Sequence, residues 1–304
     1  MSQFKKWKCR ASAIGHLCTN REKITKKQFE DIKILEDEKK TGVNVLGNKV
    51  SWTPTKATRL KELIEKRDAP EVLPEGVKTH LDNIFRSEFW GRKRLLFNKY
   101  LDKGNLCEQD SLDLVSHIDK FFYQKNDKQF ENSFISGEPD NIQGRVKDVK
   151  TNFDMDSFDN ADISELYKWQ VKGYIWLLIS ELKIWNGELI YCLVNSPYHQ
   201  FLSEKTSLYY QMGMPSEEDE RWLESVQQLE KNVIFDVDKW KEVYPGHDFY
   251  NTDQNFSIPP IIRIKRHDIT LTTQDIKFMK ERVKMARIYL INKEKDVLKT
   301  IKQT

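Results

Sequence analysis

The spacing of apolar residues changes along this chain, and the change divides it. Up to about residue 122 the spacing is helical. It predicts a short helix after Ser12, a charged helix over Thr25–Lys40, and a Gly/Asn-rich turn at Thr41–Asn48. Thr55 then starts a helix to Arg67 with Leu60, Leu63 and Ile64 on one face. The proline-containing stretch Ala69–Gly76 breaks the pattern. A long helical region, Lys78–Tyr100, follows, with a break at Asp102–Gly104 and another helix from about Leu106 to Phe122.

Beyond that point the pattern changes, and strands alternate with helices. Phe134–Gly137 and Arg145–Lys150 read as strands of a hairpin turned at Asn141–Gly144. After a polar loop over 151–161, Glu165–Leu182 is a helix, apolar along Leu166, Trp169, Tyr174 and Leu177. Gly187–Val194 reads as a buried strand stopped by Asn195-Ser196-Pro197. Ser216–Asn232 is an acidic helix with a capping box from Ser216 to Asp219. Ile261–Lys265 is a strand behind Pro259-Pro260. The last helix, from Thr272, carries Ile276, Met279, Val283, Ala286 and Leu290, a narrow seam for its own domain or a neighbouring subunit. This order predicts an α/β fold with a mixed central sheet flanked by helices. Residues 1–76 read as a helical N-terminal arm packed on a main domain, 77–304.

Charge changes the picture only locally. The net value of +3 selects no partner. The first stretch, however, holds Lys5, Lys6, Lys8, Arg10, Arg21, Lys23, Lys26 and Lys27 against Glu22 alone. A second cluster interleaves Arg86, Arg92, Lys93, Arg94 and Lys99 with Phe85, Phe89, Trp90 and Phe97. Such mixtures suit phosphate contact and base stacking, and equally a solvated face over an aromatic core. The aromatic fraction of 12% argues against a disordered chain. No run is long enough to span a membrane and the basic N-terminus is no secretory leader, so a cytoplasmic protein is expected. Cys9, Cys18, Cys107 and Cys192 form no CxxC pair and the six histidines no HxxxH pair, which removes zinc motifs and leaves free thiols.

The candidate chemistry lies around the hairpin. Asp148 and Lys150 are two apart in a strand and so share a face. Alone, that pair reads equally as a surface ion pair. Asp140, after Gly137-Glu138-Pro139, is brought beside Asp148 by the hairpin. Two carboxylates this close repel unless a cation lies between them, and magnesium prefers oxygen ligands. Gln170 and Tyr174 are four apart on one helical face, although Tyr174 and Trp176 also read as core. Gly104 and Glu108 are four apart at a helix start, where the glycine leaves room for close approach and Glu108 adds a third carboxylate.

Gly104-x-x-x-Glu108, Gly137-x-Pro139-Asp140, Asp148-x-Lys150 and Gln170-x-x-x-Tyr174 resemble, in order and spacing, the PD-(D/E)xK nuclease superfamily. The likeness is to the phage-type alkaline exonucleases, the lambda-exonuclease or YqaJ-like group. It is dense over about 98–198. Arg10-Ala-Ser12-x-x-Gly15, Arg263-Ile-Lys265-Arg266 and Arg287-x-Tyr289-Leu290 extend it toward both ends. The resemblance implies a restriction-endonuclease-like core. Asp140, Asp148 and the Val149 carbonyl would bind magnesium, with manganese as a substitute. Glu108 would bind the same metal or a second one through water. Lys150 would orient or deprotonate the attacking water, and Gln170 would hold the scissile strand or Lys150. Arg10, Ser12 and Tyr174 would contact DNA, the first two at a 5′-phosphate. Glu138 departs from the pattern, since an acid there repels a terminal phosphate unless it faces away.

The expected activity is a 5′-to-3′ exonuclease on linear double-stranded DNA, supplying single strands to an annealing protein, with a ring trimer as the implied assembly. The alternatives are an endonuclease or nickase of the same superfamily in defence or repair, and a non-catalytic DNA-binding assembly protein on the same fold.

Overall fold

Two three-stranded sheets organise the computed structural model, which describes residues 2–19, 25–69, 72–95 and 98–303. Arg21, Glu22, Lys23 and Phe97, part of the basic clusters noted above, lie outside the described residues. The chain opens with a 3-10 turn, strand β1 (Cys9–Arg10), a second 3-10 turn at Ala11–Ala13 and helix α1 (Ile14–Cys18). Helices α2 (Lys26–Thr41), α3 (Pro54–Asp68), α4 (Glu75–Phe89), α5 (Lys99–Leu106) and α6 (Glu108–Asp119) follow. Then come strands β2 (Phe130–Glu131), β3 (Ile135–Gly137) and β4 (Val146–Asn152). Helices α7 (Met155–Asp159) and α8 (Glu165–Leu182) lead to β5 (Asn186–Leu193). Helices α9 (Tyr198–Gln211), α10 (Glu220–Val233) and α11 (Val237–Val243) precede β6 (Ile264–Thr270) and the terminal helix α12 (Thr273–Gln303).

The larger sheet has the order β4-β5-β6, with β4 parallel and β6 antiparallel to β5. It is mixed and flanked by helices, as expected: α8 packs on one face and α6 on the other. Strand β5 is buried from Gly187 onward, which is why it reads as one continuous apolar run. The expected hairpin is not a ladder. β3 belongs to the second sheet, β1-β3-β2, and meets the β4 region only through a single bridge between Asn141 and Lys147. Pro139 has no N–H to give, and the Asp140 side chain takes the place of a strand partner by accepting from Val149 N–H at 2.6 Å.

Other boundaries shift for identifiable reasons. The Lys78–Tyr100 helix ends at Trp90, and Asp102–Gly104 lies inside α5 instead of breaking it. Thr53, not Thr55, caps α3, with Pro54 in the first turn. Asp219, not Ser216, caps α10. The loop 151–161 contains the end of β4 and α7, whose capping box is at Asp154. Residues Pro260–Arg263 form a 3-10 turn, and the expected strand begins at Ile264. Helices α9 and α11 carry no sequence expectation.

The arm divides into two parts. Phe4, Trp7, Cys9, Ile14, Leu17 and Cys18 belong to the main core, so the segment from Phe4 to Cys18 packs into the domain placed at 77–304. Helices α2 and α3 instead share a small core of their own, built on Ile32, Leu60 and Leu63. The α12 seam is resolved in favour of its own chain: Met279, Val283, Ala286 and Leu290 are fully buried in the main core. No helix among the described residues is long and apolar enough to cross a membrane.

Candidate active site

Strand β4 is the edge of its sheet, and its two faces do different work. Val149 packs with Leu112, Val115, Ile190 and Cys192 under α6, where Thr151 also bonds Ser111 at 2.7 Å. Asp148 and Lys150 project from the opposite face, toward α8. Lys150 Nζ donates to Asp148 Oδ1 at 3.0 Å, and Gln170 Nε2 on α8 donates to the same oxygen at 2.9 Å. Gln170 also donates to the Tyr174 hydroxyl at 3.2 Å, the i, i+4 relation its helix imposes. Asp140 stands at the open edge, bonded to Val149 N–H. A strand residue sends its N–H and C=O to the same side, so the Val149 carbonyl leaves toward that edge too.

Two glycines of the motif are there because chain crosses chain. A Cβ on Gly137 would lie 2.7 Å from Ala11 Cβ and 2.8 Å from the Tyr174 ring, so this glycine lets β3 pass under the site. A Cβ on Gly15 would fall 2.5 Å from the Leu166 carbonyl oxygen, so Gly15 sets how closely α1 docks on α8. Gly104 meets nothing within 4 Å and serves no packing purpose.

The electrostatics are unresolved by the protein alone. Burial pushes the Asp140 carboxyl up to about 7, and the charge of Asp148 adds to the rise. Asp148 is fully buried, and that burial raises its carboxyl against the lowering pull of Lys150 and Gln170. Burial would lower the Lys150 ammonium, but Asp148 and Asp140 together raise it, so it stays charged. Burial, then the same two carboxylates, push the Tyr174 phenol up. Glu108 adds further negative potential at both aspartates.

Several residues sit differently from expectation. Glu108 opens α6 and pairs with Lys125 at 3.0 Å, so the three acids do not close on one point; no trio of acid, histidine or cysteine side chains able to hold a metal occurs among the described residues. Tyr174 is core-buried with only its hydroxyl turned to the site. Arg10 is exposed on β1, opposite Ser136 in register, and exposed Glu138 follows two residues later. Ser12 lies in the 3-10 turn and does not cap α1, whose N-cap is Ala13. Arg263, Lys265 and Arg266 are committed internally, to Asp236, the Phe158 and Asp159 carbonyls, and Asp119. The sequence reading missed Lys125 and Tyr167. Lys150 Nζ lies 5.1 Å from the centre of the Tyr167 ring, and Tyr167 is three residues before Gln170, a helical spacing that was there to read. Nothing in the sequence marks Lys125.

The donor set suits a hard divalent cation. Asp148 Oδ2 is buried and, although Lys150 Nζ is 2.9 Å away, accepts no hydrogen bond of acceptable geometry. Magnesium typically takes one or two carboxylates and keeps waters. Asp140, Asp148 and the Val149 carbonyl meet that need without a third acid.

The fold is that of a phage-related exonuclease structure. A phage-related exonuclease from Haemophilus somnus 129PT superposes with a TM-score of 0.56 at 18% identity, over 96% of this chain and 97% of that one. An alkaline exonuclease from Laribacter hongkongensis aligns at a TM-score of 0.45 and 8% identity, over 77% of this chain and 88% of that one. No protein-family model and no curated protein matches the sequence.

Proposed function

We propose that this chain is a magnesium-dependent deoxyribonuclease that digests linear duplex DNA from its ends. The observation that carries the reading is Asp148 on an edge strand with Asp140 bonded to the same strand's Val149 N–H, two acids whose charges both act on Lys150. The near end-to-end likeness to an exonuclease supports it. When bound, magnesium supplies Lewis acidity and a more acidic water. Asp140, Asp148 and the Val149 carbonyl would hold it, and Glu108 would assist through water. Lys150, which donates to Asp148, would orient or deprotonate the attacking water. Gln170 fixes Asp148 from α8 and Tyr174 fixes Gln170. Arg10 and Ser12 serve a 5′-phosphate, giving 5′-to-3′ polarity. Single strands so produced suit a strand-annealing partner. A homo-oligomer enclosing DNA would make digestion processive, using a surface other than the buried α12 seam.

The test is digestion of end-labelled linear duplex and of closed circular duplex, with magnesium and with chelator. The expected result is magnesium-dependent loss of the linear form alone, beginning at the 5′ end. Cutting of the circle would replace the exonuclease reading by the endonuclease one. Binding of both without cutting of either would leave only a non-catalytic DNA-binding protein.

A further inference from the structure

The α2–α3 hairpin is built as a separate projection. Its core consists of its own residues, with Leu35, Trp52 and Ile64 packed around Ile32, Leu60 and Leu63. Its ties are also internal: Lys56 to Glu38 at 2.7 Å, Arg59 to Asp31 at 3.9 Å, and Lys66 to Gln28 at 3.2 Å. The sixteen residues of α2 span about 24 Å at 1.5 Å each, so the tip stands well away from the hairpin's base. The turn at that tip is ordered. Asn44 Oδ1 accepts from Leu46 N–H and Asn48 N–H at 3.0 Å each, and Val43 bridges Lys49. It holds Val45 and Leu46 at 78% and 80% exposure, the highest values among the described large hydrophobics.

The last turns of α2 carry Glu36, Asp37 and Glu38, with Glu38 tied to Lys56, but from Lys39 to Lys61 the chain holds Lys39, Lys40, Lys49, Lys56, Arg59 and Lys61 and no acid. Lys40 and Lys49, beside the apolar pair, have no ion-pair partner among the described residues. Lys39 lies over the Trp52 ring at 5.8 Å. We propose that this tip grips DNA away from the cleavage site, with Lys39, Lys40 and Lys49 on phosphates and Val45 and Leu46 against bases. The proposal rests on the reading of the chain as a DNA-cleaving enzyme. A convex apolar point flanked by cations matches what DNA offers, a polyanionic groove whose base steps admit apolar wedges. A lipid surface fits less well, because binding there scales with apolar helix area and these helices turn theirs inward on each other.

The experiment uses the full chain carrying Asp148→Asn, which should bind without cutting, and a short labelled duplex followed by anisotropy across salt concentrations. Combined Lys39→Ala, Lys40→Ala and Lys49→Ala should weaken binding about tenfold or more and flatten the log–log salt slope by about 2–3, close to 0.9 per lost phosphate contact. Combined Val45→Ser and Leu46→Ser should weaken binding several-fold with the slope unchanged. Both sets should keep the parent melting temperature, since the altered side chains are exposed. If the parent binds duplex and both sets match it in affinity and slope, the tip is not a DNA contact and only this proposal falls. It falls equally if the sets lose binding to anionic vesicles, or self-association, while keeping DNA affinity. If the parent chain neither binds nor, in its wild-type form, cuts DNA, the nuclease reading falls and this one with it.

Discussion

Helix α8 looks onto two buried lysine–aspartate pairs that behave oppositely. Lys172 meets Asp275 at 2.9 Å, and Lys150 meets Asp148 at 2.9 Å. Burial alone would raise Asp275, but Lys172 and the Thr272 cap hold its carboxyl below the usual range. Thr272 donates to it through both N–H, at 3.0 Å, and hydroxyl, at 2.8 Å. That pair is a closed structural lock where α12 begins. Asp148 is raised instead, because its burial outweighs the pull of Lys150 and Gln170 and Glu108 adds negative charge. The separation is the same, so distance does not distinguish a lock from a working site. What does is whether the surroundings supply enough donors for the acid, and at Asp148 the shortfall is one a divalent cation would fill.

The contrast breaks most visibly in activity. Asp148→Asn should lower DNA cleavage by about 10³-fold or more while the melting temperature holds or rises, because a crowded charge is removed. Asp275→Ala should do the reverse. It should leave the rate per folded molecule near wild type and cost about 3–5 kcal/mol in denaturant unfolding, by stranding Lys172. Equal behaviour of the two variants would erase the distinction.

A second contrast concerns pH in chelator. The Asp140 carboxyl is pushed up to about 7 in the folded chain, whereas an unfolded aspartate titrates near about 3.9. Across that window the folded state holds a proton that the unfolded state has lost, so stability falls as pH rises. Asp140→Asn should remove this contribution and melt higher than wild type at pH 8 by a few degrees, with little difference at pH 4. An unchanged difference between the two pH values would mean that Asp140 is not crowded. A smaller effect is expected at Gln170→Ala, about 10–100-fold in cleavage, since it orients Asp148 without bonding substrate. The smallest is Arg10→Ala, about tenfold and confined to 5′-phosphorylated ends. Equal loss on hydroxyl ends would make Arg10 an ordinary backbone contact.

Legibility followed element length. Strands β4 and β5 and helix α8 were readable because each runs for seven or more residues, and β4 and α8 place Asp148, Lys150, Gln170 and Tyr174. The second sheet was not, because two- and three-residue strands joined across the chain, Cys9 to Ile135, have no period to detect. Asp140 was placed correctly beside Asp148 for a wrong reason: a side chain bonded to Val149 N–H does what a hairpin ladder was expected to do. Gly104 looked like a helix break, yet one glycine costs a helix only about 1 kcal/mol and α5 runs through it. Helix α9 begins directly after Pro197, which had been read only as a strand stop.

If Asp140 and Asp148 await a cation and Asp275 does not, metal binding separates them directly. The measurement is calorimetric titration of manganese into the metal-free full chain at pH 7, in two buffers of different ionisation heat. Wild type and Asp275→Asn should bind with similar affinity and release protons on binding, as Asp140 gives up its own. Asp148→Asn should bind about 100-fold more weakly or not at all. Binding by Asp148→Asn that matches wild type, or no binding by wild type, would contradict the assignment of this pair as a cation site.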